Sequence, residues 1–226
     1  VEGFFEKINL KSSDLKGFFN SNPDFDFITV TMPHKREVIP YLDEQSEDAV
    51  AIGAVNFITN IDQKLVGYNF DGMGALDPIE EKISVKGKKV VVLGAGGSAR
   101  AAIYEAKKRG ARVKIVNRTE EKGIKLAKEF DVEFNRFIPS YFDVLINATS
   151  VGMDPQDKTK LIEKDHILNG VVVLDMASRE GQSILKDQTE KNGGIYIFGK
   201  EMFLSLTNFG FKEFLFLYKL HKIKQL

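Results

Sequence analysis

Short β-branched runs and longer helical stretches alternate along the chain, the mark of an α/β protein. Asp14 to Phe19 is predicted as a helix, Phe25 to Thr31 as a strand, and Lys35 to Leu42 as a helix beginning after Pro33. Ala54 to Asn60 and Lys64 to Asn69 read as strands joined by a turn around Asp62. From residue 88 the rhythm becomes regular: strand KVVVLG, helix Ser98 to Arg109, strand RVKIVN, helix Thr119 to Phe130, then strands at 143–147 and 171–175. These later strands are almost wholly apolar, as expected where helices cover both faces of a parallel sheet. The pattern predicts a doubly wound, Rossmann-like α/β domain over 84–200 and a smaller α/β domain over 1–83, with Ile83 to Gly87 as a hinge. Residues 201–226 form a C-terminal helix expected to return to the first block.

Composition narrows the field. The 226 residues carry 32 basic and 32 acidic side chains, so no net field draws the protein to nucleic acid or an anionic membrane. With no cysteine, disulfides, thiolate metal sites and cysteine nucleophiles are excluded, which fits a cytoplasmic location. The three histidines, His34, His166 and His221, are far apart, and no metal site is expected. Val1 to Leu10 is interrupted by Glu2, Glu6 and Lys7 and lacks the pattern of a signal peptide. Lys212, Glu213 and Lys219 interrupt Met202 to Leu220 in the same way, so it reads as a buried helix and no membrane partner is expected.

The chemistry begins at Gly94-Ala95-Gly96-Gly97-Ser98-Ala99-Arg100, which fits G-x-G-x-x-G/A between a strand and a helix. The first glycine allows a tight turn, the second a close approach to a pyrophosphate, and the small third residue close packing of helix on strand. A glycine turn serving only chain geometry is the bland alternative, and the strand–loop–helix context favours a dinucleotide, held by Gly94, Gly96, Gly97 and Ser98. At the end of the next strand, where an NAD site carries an acid, the chain has Asn117-Arg118-Thr119 with Lys122 a turn later. A guanidinium and a hydroxyl match a 2′-phosphate, so the expected cofactor is NADP, although Arg118 could also be a solvated loop residue.

Other segments carry a more specific signal: Thr29-Val30-Thr31-Met32-Pro33-His34-Lys35, Gly53-Ala54-Val55-Asn56, Gly67-Tyr68-Asn69-Phe70-Asp71-Gly72, Asn147-Ala148-Thr149-Ser150-Val151-Gly152-Met153, Asp175-Met176 and Gly199-Lys200-Glu201-Met202. With the glycine loop and Asn117-Arg118-Thr119, this ordered set resembles the shikimate dehydrogenase family from about residue 25 onward. From spacing alone Lys35 is a surface lysine and Asp71 a helix N-cap; the resemblance implies instead that they are the catalytic pair serving the reacting hydroxyl. It also implies that Thr31 and Asn56 bind substrate, and that Thr149, Met153, Met176 and Gly199 line the nicotinamide half of the cofactor site. The methionines serve equally as core filling.

The chain departs from the family pattern at Thr29 and Phe70, both expected beside the substrate, and at Ser178 and Leu206, each of which loses or alters a polar group. The family's first βα unit, with its serine pair, has no counterpart before Asp14, which raises the expectation of a missing segment or a fusion partner there. The resemblance implies an NADP-dependent oxidoreductase interconverting 3-dehydroshikimate and shikimate. Two alternatives are quinate or another cyclic hydroxy acid as the small-molecule substrate, and a non-catalytic nucleotide-binding module.

Overall fold

The computed structural model describes residues 4, 6–21, 24–154, 156, 158–163, 169–177 and 183–224, with side chains as far as 219. Two sheets organise the molecule. The first is built from β1 (Phe27–Thr29), β2 (Glu44–Gln45), β3 (Phe57–Ile61) and β4 (Lys64–Tyr68), in the order β1-β3-β4-β2. Strand β3 is antiparallel to both neighbours, whereas β2 lies parallel to β4. Helices α1 (Leu15–Asn20) and α2 (Glu47–Ile52) accompany this sheet, and α3 (Asp71–Glu80) leaves its end.

The second sheet has six parallel strands: β5 (Lys89–Leu93), β6 (Arg112–Val116), β7 (Glu133–Asn135), β8 (Val144–Asn147), β9 (Val172–Asp175) and β10 (Ile195–Phe198). Their order, β10-β9-β8-β5-β6-β7, reverses direction between β5 and β8. In an open α/β sheet ligands bind at that switch point, outside the carboxyl ends of the strands. The connecting helices are α4 (Gly97–Lys108), α5 (Glu120–Phe130) and α6 (Ile184–Lys191), and α7 (Gly199–Lys224) follows β10 directly. Strands β8 and β9 are buried at every residue, which is why their sequence shows no alternation.

The structure differs from the sequence reading in several places. Residues 35–42 form no α-helix. They make a chain of turns, with Glu37 N donating to His34 O and Tyr41 N to Val38 O, ending in a 3₁₀ turn at Ile39–Tyr41. Pro40 has no N–H to donate and biases Ile39 away from helical geometry, so a regular helix cannot pass through it. The strand expected over 25–31 contracts to Phe27–Thr29. In the 83–87 segment, read as a hinge, Val85 is fully buried and Gly87 N donates to Gly110 O. Helix α2 was missed although Ser46 caps it, its side chain accepting from Ala49 N at 3.2 Å.

Each half has its own core, Val30, Val38, Ala49, Val55 and Ile58 forming that of the first, and Ile52, Ala54 and Ala101 pack at the seam between them. Ala75, Leu76 and Ile79 of α3 pack with Val90, Val92, Ala102, Ile103, Ile146 and Leu174 of the second sheet and its helices. At its far end α3 is tied to α4 by Arg109, which donates to Asp77, Glu80 and Glu105 at 2.7–2.8 Å. Helix α7 lies along α3, where Gly74 has no side chain because Leu206 Cβ is only 2.8 Å from the place a Cβ would take. Further along, Phe214 of α7 meets Phe27 of β1 with ring centroids 5.3 Å apart. Among the described residues no helix is long and apolar enough to cross a membrane.

Candidate active site

Where β1 ends, the chain turns through Thr31 to Lys35, and Lys35 O accepts from Val55 N at 2.7 Å. This backbone bond sets Lys35 beside the segment entering β3. Its side chain, 14% exposed, reaches Asp71, whose carboxylate is 2% exposed, with Nζ 2.5 Å from Oδ2. Asp71 is the first residue of α3, where the helix dipole favours a negative charge. Its other oxygen, Oδ1, accepts from Asn56 Nδ2 at 2.8 Å, and its backbone N–H donates to Asn69 Oδ1 at 3.0 Å. Asn56 Oδ1 accepts in turn from Phe70 N at 2.9 Å. The buried carboxylate therefore accepts from both Lys35 and Asn56, and Lys35 is half-buried.

The glycine loop meets this pair. Gly94 has φ +109°, a left-handed value that a side chain rarely adopts, and Ala148 O lies 3.0 Å from the place its Cβ would take. Gly97 lies against the Lys35 stem, with Lys35 Cβ 3.2 Å from its own Cβ position. Ser98 Oγ accepts from Lys35 Nζ at 2.9 Å and donates to Asp71 Oδ2 at 3.1 Å.

The loop also fits a dinucleotide. No atom lies within 4 Å of the Cβ position of Gly96, so the backbone before α4 is bare, and no side chain caps the helix. An uncapped helix N-terminus with unpaired N–H groups is a place for a phosphate. At the end of β6, Asn117 Nδ2 donates to Thr119 O at 2.7 Å and shapes the turn that exposes Arg118, Thr119 and Lys122. Arg118 has no ion-pair or hydrogen-bond partner among the described residues.

Beyond β8, Asn147 organises the opposite lip. Its Oδ1 accepts from Thr149 Oγ1 at 2.7 Å and its Nδ2 donates to Asp175 Oδ1 at 2.8 Å. Asp175 Oδ2 accepts from Tyr196 Oη at 2.8 Å, which fixes the ends of β8, β9 and β10 relative to one another. Met153 is exposed in the turn after β8, Met176 is half-buried against the main core, and Gly199 lies within 2.9 Å of Met176 O and Asp175 O, measured from its Cβ position.

Phe70, expected beside the substrate, has its ring in an aromatic cluster, and Leu206, a departure from the family pattern, lies against α3. The Phe70 ring lies between Tyr68 and Phe57, with centroids 5.8 and 5.6 Å away, and its backbone N–H donates to Asn56 Oδ1. Leu206 packs against Gly74, one helical turn from Asp71. Thr29 ends β1 opposite Phe57, and Thr31 is exposed beyond it. Ser178 and His166 lie outside the described residues. His34 takes no part, its ring nitrogens being bound to Glu37 and to Leu10 O.

Sequence reasoning assigned no role to Asn69, which is 5% exposed, donates to Ala54 O and receives the Asp71 N–H. The signal was the Asn two residues ahead of a helix-opening Asp, a spacing at which an Asn side chain captures a backbone N–H. Arg100, buried behind the glycine loop, was also missed. It donates to Ile52 O and forms a two-pronged pair with Glu129.

Comparison with known proteins agrees with this geometry. A family model for the shikimate dehydrogenase substrate binding domain matches residues 2–58, and one for shikimate/quinate 5-dehydrogenase matches 78–177. The shikimate dehydrogenase (NADP(+)) of Pyrococcus furiosus is 40% identical over 192 residues, covering 82% of this chain and 70% of the relative. That of Geobacillus kaustophilus is 40% identical over 160 residues, covering 66% of this chain and 58% of the relative. A crystal structure of a shikimate dehydrogenase in complex with NADP+ superposes with a TM-score of 0.86 at 34% identity, over 92% of this chain and 77% of that one. With both family models matched in order and this identity sustained across most of its length, the chain belongs to the shikimate dehydrogenase family.

Proposed function

We propose that the chain is an NADP-dependent oxidoreductase that interconverts 3-dehydroshikimate and shikimate. The observation that carries this reading is the contact of Lys35 Nζ with a buried Asp71 carboxylate directly against the glycine loop. Reducing a ring ketone requires hydride on carbon and a proton on oxygen. Bound at the glycine loop, NADPH supplies the hydride. Lys35 stabilises the charge forming on oxygen and donates the proton, and in the reverse direction it accepts that proton. Asp71 keeps the ammonium oriented.

In this reading Thr31 and the second amide proton of Asn56 meet the substrate. Gly94, Gly96, Gly97 and Ser98 would hold the cofactor's phosphates, and Asn117, Arg118, Thr119 and Lys122 its 2′-phosphate. Thr149, Met153, Met176 and Gly199 line the nicotinamide half. Residues 1–83 then hold the substrate and 84–200 the cofactor, while α7 returns along α3. The cysteine-free composition supports a cytoplasmic setting.

The test is a panel of shikimate, quinate and deoxy analogues with NADP+ and NAD+, run beside Lys35→Ala. Turnover of shikimate with NADP+ and loss of about a hundredfold or more in kcat for the variant supports the reading. A Lys35→Ala rate within a few-fold of wild type refutes it. Preference for quinate or the deoxy analogue over shikimate would instead select another cyclic hydroxy acid as the substrate.

A further inference from the structure

Ser98 occupies the first turn of α4, where its backbone belongs to the phosphate cradle, but its hydroxyl is engaged with the other half of the site. Oγ accepts from Lys35 Nζ at 2.9 Å and donates to Asp71 Oδ2 at 3.1 Å, closing a triangle whose third side is the 2.5 Å contact of Lys35 with Asp71. The three groups come from three separate segments: the turn after β1, the start of α3 and the start of α4.

We propose that Ser98 is a positioning residue that aims the Lys35 ammonium at the reacting oxygen. This rests on the reading of Lys35 and Asp71 as the proton-handling pair. An ammonium bound to one acceptor can swing on its four-carbon tail about that contact. A second acceptor on a different helix fixes the nitrogen at two points, and of its three N–H donors one remains for substrate. Ser98 suits this task because its single proton goes to the carboxylate, leaving lone pairs to accept from the ammonium. The neighbouring Gly97 adds a third restraint, since the bare backbone lets the Lys35 stem lie against the loop, with Cβ and Cδ 3.2 and 3.4 Å from the Gly97 Cβ position. The orientation of Lys35 is thus coupled to the seating of the loop that would hold the cofactor.

The experiment compares wild type with Ser98→Ala and Ser98→Thr. Both retain the backbone N–H, and alanine is well tolerated in a helix. Alanine should lower kcat about tenfold, the scale of one hydrogen bond to a charged group, with KM for NADPH unchanged within about twofold. Threonine should restore most of the rate. Three results would overturn the proposal: an unchanged kcat in Ser98→Ala, equal damage from alanine and threonine, or a rise in KM for NADPH that matches the loss of rate. A second readout needs no turnover: the ¹⁵N signal of the Lys35 ammonium, identified by its absence in Lys35→Arg. It should be protected from solvent exchange in wild type and lost in Ser98→Ala; equal protection in both overturns the proposal. A wild type that oxidises no cyclic hydroxy acid refutes the reaction proposed above, and the ammonium signal then decides the role of Ser98 alone.

Discussion

Asn56 is 4% exposed, and its amide ties the segment entering β3 to the start of α3, where Asp71 sits. Asn56→Ala removes two bonds at once. The first is the 2.8 Å donation to Asp71 Oδ1, which goes to a charged acceptor and is worth about 1.5–3 kcal/mol. The second is the 2.9 Å acceptance from Phe70 N, which leaves an unpaired N–H at a cost of about 1–3 kcal/mol, toward the lower end because Phe70 is only half-buried. Water entering the vacated polar space returns part of this, so the expected destabilisation is about 3 kcal/mol. Urea unfolding measures it as a lower midpoint at constant slope. The double variant with Asp71→Asn isolates the pair, with an expected coupling of about 1–2 kcal/mol. A loss under about 1 kcal/mol, or additivity within about 0.5 kcal/mol, would show that Asn56 does not hold Asp71.

Arg118→Ala should weaken NADPH at least about tenfold by titration and leave NADH nearly unchanged, since a charge-assisted contact is worth about 1.5–3 kcal/mol; equal losses for both cofactors sink the assignment. Arg100 holds the Glu129 carboxyl below its ordinary 4.5, so the folded state binds that proton less tightly than the unfolded chain. The resulting stabilisation is complete above about pH 4.5 and is lost as pH falls through the lowered value. Glu129→Gln should therefore destabilise by about 1 kcal/mol at pH 7, the carboxylate being partly solvated, and the gap from wild type should close in acid; a gap independent of pH refutes the pairing. Gly74→Ala sets a methyl 2.8 Å from Leu206 Cβ and should lower stability by about 1–3 kcal/mol through overpacking, so an unchanged Tm would refute the close approach of α3 and α7.

The second sheet was legible because its strands are continuous apolar runs separated by helical periods, and its glycine loop is read from residue type alone. The first half was harder to read. Strands of two and three residues such as β1 and β2 carry too little pattern to separate from loops, and the predicted helix after Pro33 ignored Pro40. At the site, Lys35 and Asp71 could be named only through the family resemblance, because a lysine after a proline and an aspartate before a glycine are both commonplace. The hydroxyl of Ser98 and the amide of Asn69 were beyond reach for a different reason. Their partners Asp71 and Ala54 lie 27 and 15 residues away in sequence, and only the packing of α4 on α3 and of β4 on β3 brings them together. Phe70 shows the converse: its place in the motif is plain from the sequence, but its ring follows Tyr68 and Phe57 into an aromatic cluster.

The seam between the halves, where Ile52 and Ala54 pack on Ala101 of α4 and Phe27 of β1 meets Phe214 of α7, bears on how the protein melts. Two sheets with separate cores are the usual setting for loss of structure in two steps, the smaller first. Here the smaller sheet cannot come away without uncovering Ile52, Ala54 and Ala101, all of them buried. That seam couples the two cores, and calorimetry should record a single heat-absorption peak whose van't Hoff and calorimetric enthalpies agree; two peaks would show that the cores melt apart. Each sheet keeps its own core, but a weakening substitution at the seam should be felt by both.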